Sequence, residues 1–354
     1  MIWGEDCVDL HFNDSVFQNF GTIYEMETAP QRHHYYSIDI LKFLAVLLVI
    51  NSHLDNFYPS ARLATGGAIG DVLFFFCSGF TLSLGRTQKF IPYYKRRIFR
   101  IYPSIIAWAI LRTLFFDYRG NIVDIILFGG GWFIACIMIY YVMLYVIQKH
   151  FPHHLLQVFG IYSLIVLIWY LFFFEHKEFV WMYKGTYFKW CHYFLFMLLG
   201  AICAKMSQQN NVHLPNKVGK YAIGLFFALI TYYAILILGE KYPTIAQTQV
   251  ISLIPLLGIT YTIYALASSD IAKRVYDNKY LHRPIMIVGG LCLEFYIIQG
   301  IILSIVPQFT FPFNVLFLLI TLCLMAYIVR CLGRFIQQTL QDRLDYDWKK
   351  IIEI

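Results

Sequence analysis

A lysine and a histidine interrupt an otherwise apolar stretch near the N-terminus, DILKFLAVLLVINSHLD at residues 39–55. Lys42 and His53 are 11 residues apart. On a helix this spacing is three turns plus about 20°, so both side chains share one face, about 16 Å apart along the axis. Histidine is well suited to general-base chemistry near neutral pH, and lysine binds anions. Two ionisable groups on one face of an apolar helix predict a polar cavity beside it.

Two carboxylates belong with this pair. Asp39 precedes Lys42 by three residues, within pairing distance on a helix. Asp71 begins the next apolar stretch, GDVLFFFCSGFTLS, at about the depth of His53, where a carboxylate can fix the imidazole tautomer. In a simpler interpretation Lys42 and Asp39 extend to one membrane surface, His53 lies at the other, and Asp71 caps its helix. The residue types fit both interpretations.

A cluster of cations follows in YYKRRIFRIYP, at residues 93–103. Arg97 and Arg100 are three residues apart and point the same way from the start of a helix that is otherwise apolar. Guanidinium groups bind phosphate oxygens through paired hydrogen bonds. The cluster predicts a phosphate-binding site, although clusters beside membrane spans also serve only to orient the chain.

The composition places these residues in a membrane. Of the 354 residues, 59% are hydrophobic and 14% are charged, and the mean hydropathy is +0.60. So few charges exclude a soluble domain. Apolar stretches near 20 residues, the length that spans a bilayer as a helix, recur along the chain. We therefore predict an all-α polytopic bundle of about ten spans, at residues 38–54, 69–85, 99–116, 130–148, 155–174, 190–204, 221–239, 247–267, 285–306 and 312–332.

The distribution of Lys and Arg predicts the orientation. Of the 28 such residues, 20 fall in the terminal segments and the loops that share their side, seven in the other loops, and Lys42 within a span. This bias predicts that both termini are cytoplasmic. The predicted parts are an N-terminal cytoplasmic segment at 1–36 with no cleaved signal peptide, a transmembrane domain at 37–332, and a C-terminal cytoplasmic tail at 333–354. The expected location is the cell membrane, either a bacterial inner membrane or a plasma membrane.

The net charge and the spacing of the cysteines limit which classes of partner and metal site the chain can have. The net charge of +7 lies in loops beside the membrane, which favours anionic lipid or a phosphate-bearing substrate over nucleic acid. The eight cysteines form no CxxC pair, so we predict no metal site.

Several stretches, in order, resemble the integral-membrane acyltransferase-3 family. YSIDILKFLAVLLVINSHLDNF resembles the family's opening, in which a basic residue precedes a histidine by ten intervening residues. GDVLFFFCSGFTLS, YYKRRIFRIYPSIIAW and GGWFIACIMIYYVMLYVI are similar to its next three blocks, the last led by Trp132. FLFMLLGAICA and GGLCLEFYIIQGIIL resemble later blocks. The resemblance covers approximately residues 35–332.

The resemblance implies acyl transfer across a membrane. Such proteins move an acetyl or other short acyl group from cytoplasmic acyl-CoA to a hydroxyl of an extracytoplasmic glycan or lipid-linked saccharide. Acetyl-CoA is then a substrate, and no bound cofactor is expected. His53 matches the motif histidine, Lys42 the motif cation and Asp71 the acid of the second block. Arg97 and Arg100 match the family arginines, which suit the CoA phosphates.

The chain departs from the family pattern at two places. Many members have an acid after the tryptophan that corresponds to Trp132, and this chain has none. Glu294 is a candidate replacement, although its nearness to Gly289 and Gly290 also fits a packing turn. A later block often ends in histidine, where this chain has Gln299.

An alternative function from another class is a proton-coupled transporter or flippase for an anionic or lipid-linked sugar. A buried Lys–His face could serve such a protein, with His53 as a proton relay. The ordered family blocks, and the lack of paired broken helices in matching halves, favour the acyltransferase.

Overall fold

The structure, a computed structural model, describes residues 34–85, 89–116, 120–129, 131–210, 217–307, 310–341 and 346–353. Nearly all of the predicted N-terminal segment lies outside these residues. All regular elements in the described ranges are helical, which confirms the predicted all-α class. The α-helices are α1 (Tyr36–Asn51), α2 (Gly67–Ser83), α3 (Phe90–Phe115), α4 (Ile122–Phe128), α5 (Gly131–His150), α6 (Leu155–Phe173), α7 (Phe188–His192), α8 (Phe194–Asn210), α9 (Val218–Lys241), α10 (Pro243–Ala246), α11 (Leu253–Ala267), α12 (Asp270–Tyr276), α13 (His282–Gly290), α14 (Cys292–Ile305), α15 (Phe313–Thr339) and α16 (Trp348–Ile352).

Within the described residues, eight helices are long and apolar enough to cross a membrane. The pair α13 and α14 adds a ninth if it counts as one span, bent by 72° at Leu291. Each of the ten predicted stretches overlaps a helix, but α1 has only 16 residues. At 1.5 Å per residue α1 is about 24 Å long, short of the ~30 Å apolar core of a bilayer. The number of spans, about ten, and the cytoplasmic termini remain predictions.

The end of α1 corrects one boundary. The first stretch was predicted to extend to residue 54 as helix, whereas α1 ends at Asn51 and His53 lies in the turn that follows. The Asn51 side chain donates to the carbonyls of Leu63 and Thr65, both at 2.9 Å, and accepts from the Tyr58 hydroxyl at 2.6 Å. These bonds hold the loop after α1 back against the helix end. They replace the continued helical ladder that the apolar pattern predicts.

The helices α6 and α9 present apolar side chains to the outside. Only 11% of the most apolar part of α9 is buried, and only 17% of that of α6. Phe172, Phe173 and Phe227 are among the exposed side chains. Water would not tolerate such a surface, so lipid must cover it.

Helix α1 lies at the centre of the fold, in contact with α2, α11, α13 and α14. Its inward face is fully buried at Leu41 and Ala45. Small residues set the spacing, because Gly70 of α2 packs directly on Val49 and on the Ala45 carbonyl. A central helix fixed on several sides can hold Lys42 and the loop at His53 in a constant relation.

The helices α2 and α8 make the closest approach of the fold. A side chain at Gly79 would collide with the Met197 carbonyl, and one at Gly200 with the Phe76 carbonyl. The sequence SGF at residues 78–80 predicts such a contact, because a glycine lets another helix approach closely, and the structure confirms it at Gly79. Paired glycines bring the two backbones into direct contact, as is common between membrane helices.

The two ends of the bundle can be told apart by their contacts. At one end the Asn314 side chain of α15 donates to the Phe57 carbonyl at 2.7 Å, beside the loop that carries His53. At the other end Arg330 of α15 lines the same cavity as Lys42 and Arg97. We call the first the His53 end of the bundle and the second the Arg97 end. α1 therefore begins, and α15 finishes, at the Arg97 end.

Replacing Gly79 with Val should destabilise the protein by about 1–3 kcal/mol, because the added carbons have no space against Met197. Thermal unfolding in detergent would measure the loss. Gly160→Val is the matched control, since nothing lies within 4 Å of a Cβ at Gly160 of α6. Equal melting temperatures for both variants would contradict this close approach of α2 and α8.

Candidate active site

A cavity of about 930 Å³, part of it open to solvent, lies at the Arg97 end of the bundle. Four cations from three helices line it: Lys42, Arg97, Arg100 and Arg330. The rest of the wall is apolar or weakly polar and includes Phe74, Cys77, Ser78, Thr81, Leu82, Ile101, Phe133, Ile134, Ile137, Tyr141, Gly290, Cys292, Leu293 and Tyr296. No carboxylate is among its described lining residues. The cavity can therefore bind a ligand that has several negative charges and an apolar part.

Lys42 is held in place from one side. Its ammonium lies 3.7 Å from a carboxylate oxygen of Asp39, which confirms the predicted i, i+3 pair. The Tyr276 hydroxyl of α12 donates to the other oxygen of Asp39 at 3.2 Å. Asp39 thus fixes Lys42 without lining the cavity itself.

The two arginines predicted to act together do share this cavity. Arg97 packs its guanidinium over the rings of Tyr93, at 5.2 Å, and Tyr141, at 6.0 Å. Its Nε is buried and has no hydrogen-bond partner among the described residues. Arg100, one turn further along α3, is exposed. An arginine held by aromatic faces keeps its N–H groups available for an oxyanion.

Arg330 is positioned by a fully buried carboxylate. Its Nη1 lies 3.3 Å from Oε1 and 3.5 Å from Oε2 of Glu294, and the Ser104 hydroxyl donates to the same Oε1 at 2.8 Å. A buried carboxylate needs such partners to offset its desolvation. Glu294 is absent from the cavity wall, although its neighbours Cys292 and Leu293 are part of it. The residue considered as a replacement for the family acid is therefore a positioning group for Arg330.

His53 lies at the opposite end, exposed in the loop after α1. The carboxylate that interacts electrostatically with it is Asp55, two residues on. Asn314 and Asn51 fix this loop through the hydrogen bonds described above. A fixed, accessible imidazole beside a carboxylate can take a proton from an incoming hydroxyl.

A small, closely packed pocket lies between the cavity and the His53 loop. It shares Phe74, Cys292 and Tyr296 with the cavity, and these residues form the partition between the two. Its remaining walls are Val46, Val49, Ile50, Phe295 and Gln299. The pocket lies beside α1 from Val46 to Ile50, between Lys42 and the turn at His53.

The structure gives Asp71 a different partner from the predicted one. Asp71 interacts electrostatically with Lys189 of α7, and the Tyr193 hydroxyl lies nearby without hydrogen-bond geometry. The Lys189 ammonium also sits 3.8 Å above the ring of Trp132, whose ring stacks on Tyr193. The expected pairing of Asp71 with His53 is replaced by this Asp71–Lys189–Trp132 cluster. The rotation of α2 about its axis, which hydropathy does not reveal, decides this outcome.

The sequence analysis did not identify two cations of this interior, Arg330 and Lys189, as interior groups. Arg330 counted among the charges of the C-terminal segment, and Lys189 among those of a loop. Arg330 ends the apolar run FLLITLCLMAYIVR, and Lys189 stands within the aromatic run YFKWCHYF. Each is a charged residue within or at the end of a hydrophobic segment whose other residues are suited to burial. That signal marks them as interior groups, because such charges are retained only where they have partners.

Comparison with known families supplies the identity. The acyltransferase-3 model, described as an acyltransferase domain, matches residues 35–332, which is most of the chain. Comparison with curated proteins and with solved structures gives no match. The matched region contains the cationic cavity, the His53 loop and the Asp71 cluster. The chain belongs to the acyltransferase-3 family and is a membrane acyltransferase.

Proposed function

We propose that this acyltransferase moves an acetyl or other short acyl group from cytoplasmic acyl-CoA to a hydroxyl of an extracytoplasmic glycan or lipid-linked saccharide. The observation that carries the proposal is the cavity in which Lys42, Arg97, Arg100 and Arg330 meet. CoA combines several phosphate charges with a long, weakly polar arm. A free acyl group or an uncharged lipid would give four cations nothing to bind.

The position of His53 supports transfer from one side to the other. From Lys42 to the end of α1 at Asn51 the helix rises about 14 Å, and His53 lies beyond that end, too far for one small substrate to contact both. A donor whose phosphates bind at the Arg97 end can reach His53 only through an extended arm. The acceptor then needs access only to the loop at the His53 end, where His53 is exposed.

The reaction steps follow from these positions. The acceptor hydroxyl gives its proton to His53 while its oxygen attacks the thioester carbonyl carbon. The new C–O bond forms, the C–S bond breaks, and the thiolate of CoA leaves and takes up a proton. Asp55 stabilises the imidazolium. The same groups also permit an acyl-His53 intermediate, in which the imidazole attacks first and the acceptor second. Asp71 takes no step here, because its partner is Lys189.

Purified protein should release free CoA from acetyl-CoA in the presence of its acceptor, and His53→Ala should lower that rate by about 10²-fold or more, the usual effect of losing a general base. Thiol release measures the rate. His153→Ala, at another exposed histidine, should leave it unchanged. Mass spectrometry of surface polysaccharide from cells with and without the gene would identify the acceptor. A His53→Ala variant with more than about a tenth of the activity would place the base elsewhere.

Arg97→Ala and Arg100→Ala should each raise the apparent KM for acetyl-CoA about tenfold or more with little change in kcat. The reason is that each change removes charge-assisted hydrogen bonds to the donor. Lys95→Ala is the matched control, since Lys95 belongs to the same cationic cluster but points away from the cavity, over the Phe99 ring. Equal KM values for the wild type and all three variants would mean that the cluster only orients the chain in the membrane.

The charge distribution predicts the sidedness of the reaction. A cysteine at Asn56, exposed after α1, should react with an impermeant maleimide in intact cells. A cysteine at Lys89, exposed before α3, should react only after the cells are opened. The eight native cysteines would first be replaced or shown to be silent. The reverse labelling pattern would overturn cytoplasmic donor binding and transfer to the outside together.

A further inference from the structure

The side chain of Gln299 on α14 is buried in an apolar setting without a full set of partners. The residue is 5% exposed, and its Oε1 accepts no hydrogen bond within the described part of the chain. Its neighbours in the small pocket include Val46, Val49 and Ile50. A buried carbonyl oxygen that loses water and gains no donor is destabilising. A methionine or leucine of similar size would avoid that loss, so a ligand with a hydrogen-bond donor is the simplest reason for an amide here.

The location of Gln299 indicates which ligand. Its pocket adjoins the cationic cavity across Phe74, Cys292 and Tyr296, and it lies beside α1 between Lys42 and the turn at His53. An extended group that runs from the four cations along this side of α1 towards His53 would pass Gln299. In the proposed reaction the pantetheine arm of acyl-CoA takes this route.

The dimensions of the arm agree with this placement. From the phosphate oxygen, the arm reaches its first amide nitrogen after about 6 Å, its second after about 10 Å and its sulfur after about 14 Å, at the extension of a polypeptide backbone. Along α1 from Lys42, Val46 lies about 6 Å away, Val49 about 10 Å and the helix end at Asn51, which precedes His53, about 14 Å. With the phosphates at the level of Lys42, both amides pass the pocket of Gln299 and the sulfur approaches His53.

We propose that Gln299 binds an amide group of the pantetheine arm and so fixes the position of the thioester relative to His53. This inference rests on the proposed use of acyl-CoA as donor. The amide N–H of the arm donates to the Gln299 carbonyl, and the other half of the carboxamide can donate to the adjacent amide oxygen. Because the side chains as they stand leave no free space for even a water molecule in this pocket, Phe74 or Tyr296 must rotate at the partition as the arm enters. Gln299 acts by positioning the donor and takes no part in proton transfer.

The test compares two probes on the full-length protein in detergent, CoA and adenosine 3′,5′-bisphosphate, which has the charged head of CoA but lacks the arm. Gln299→Met keeps the side-chain length and removes the amide. It should weaken CoA binding about five- to tenfold, the size of one buried hydrogen bond, and leave binding of the bisphosphate unchanged. Gly300→Ala, next in the chain and with open space around its Cβ, should change neither affinity.

A CoA analogue whose two pantetheine amides are replaced by esters gives the matching cycle. The wild type should lose affinity for this analogue, and Gln299→Met should lose little further, since the two changes remove the same contact. Equal CoA affinity in wild type and Gln299→Met would overturn the inference. Equal weakening of both CoA and the bisphosphate would also overturn it, because the effect would then lie in the cavity and not in the arm. A wild type that binds neither probe would instead overturn the use of CoA as donor.

Discussion

The buried carboxylate of Glu294 ties together three of the helices that line the cationic cavity. It accepts from Ser104 of α3, belongs to α14 and pairs with Arg330 of α15. Gly333 permits this arrangement, because a side chain there would press on Ser104. An ionised group fully removed from water is tolerated only while its partners stay in place, and removal of one partner of such a pair typically costs about 3–5 kcal/mol. This energetic penalty keeps α3, α14 and α15, and with them Arg97, Arg100 and Arg330, in one constant arrangement.

The separation between that cavity and His53 is the second constraint on the molecule. The cations lie at one end of α1 and the imidazole follows its other end, so the same helix both separates and aligns the two. The packing of Gly70 against α1 and the hydrogen bonds of Asn51 and Asn314 fix that alignment. In the proposed reaction this separation requires a donor with a long arm and leaves the acceptor outside. In this view the membrane barrier is crossed by the thioester arm, while the charged head of the donor stays on its own side.

The Asp71–Lys189–Trp132 cluster shows how the interior accommodates charges that the cavity does not use. Lys189 is 9% exposed, lies above the ring of Trp132 and has Asp71 as its electrostatic partner. A paired charge covered by an aromatic face is much less costly than a lone one in an apolar medium. The cluster also joins α2 and α5 to the segment that leads into α8, the helix in closest contact with α2. Asp71, which matches the acid of the family's second block, thus takes part in a contact that links several helices.

The amino-acid sequence by itself determined the helical membrane class, the Asp39–Lys42 pair, the shared direction of Arg97 and Arg100, and the close helix contact at Gly79. These features are local, because the period of a helix fixes which neighbours share a face and hydropathy accumulates along one segment. Only the tertiary structure decided that Arg330 joins the cavity, that Asp71 faces Lys189, that α1 ends before His53 and that Gln299 lies beside α1. Each of these depends on how a helix is rotated about its axis or where its end is held. Ser104 and Glu294, for instance, meet across 190 residues of chain. Contacts of that kind arise from the packing of whole helices, and no short segment encodes them.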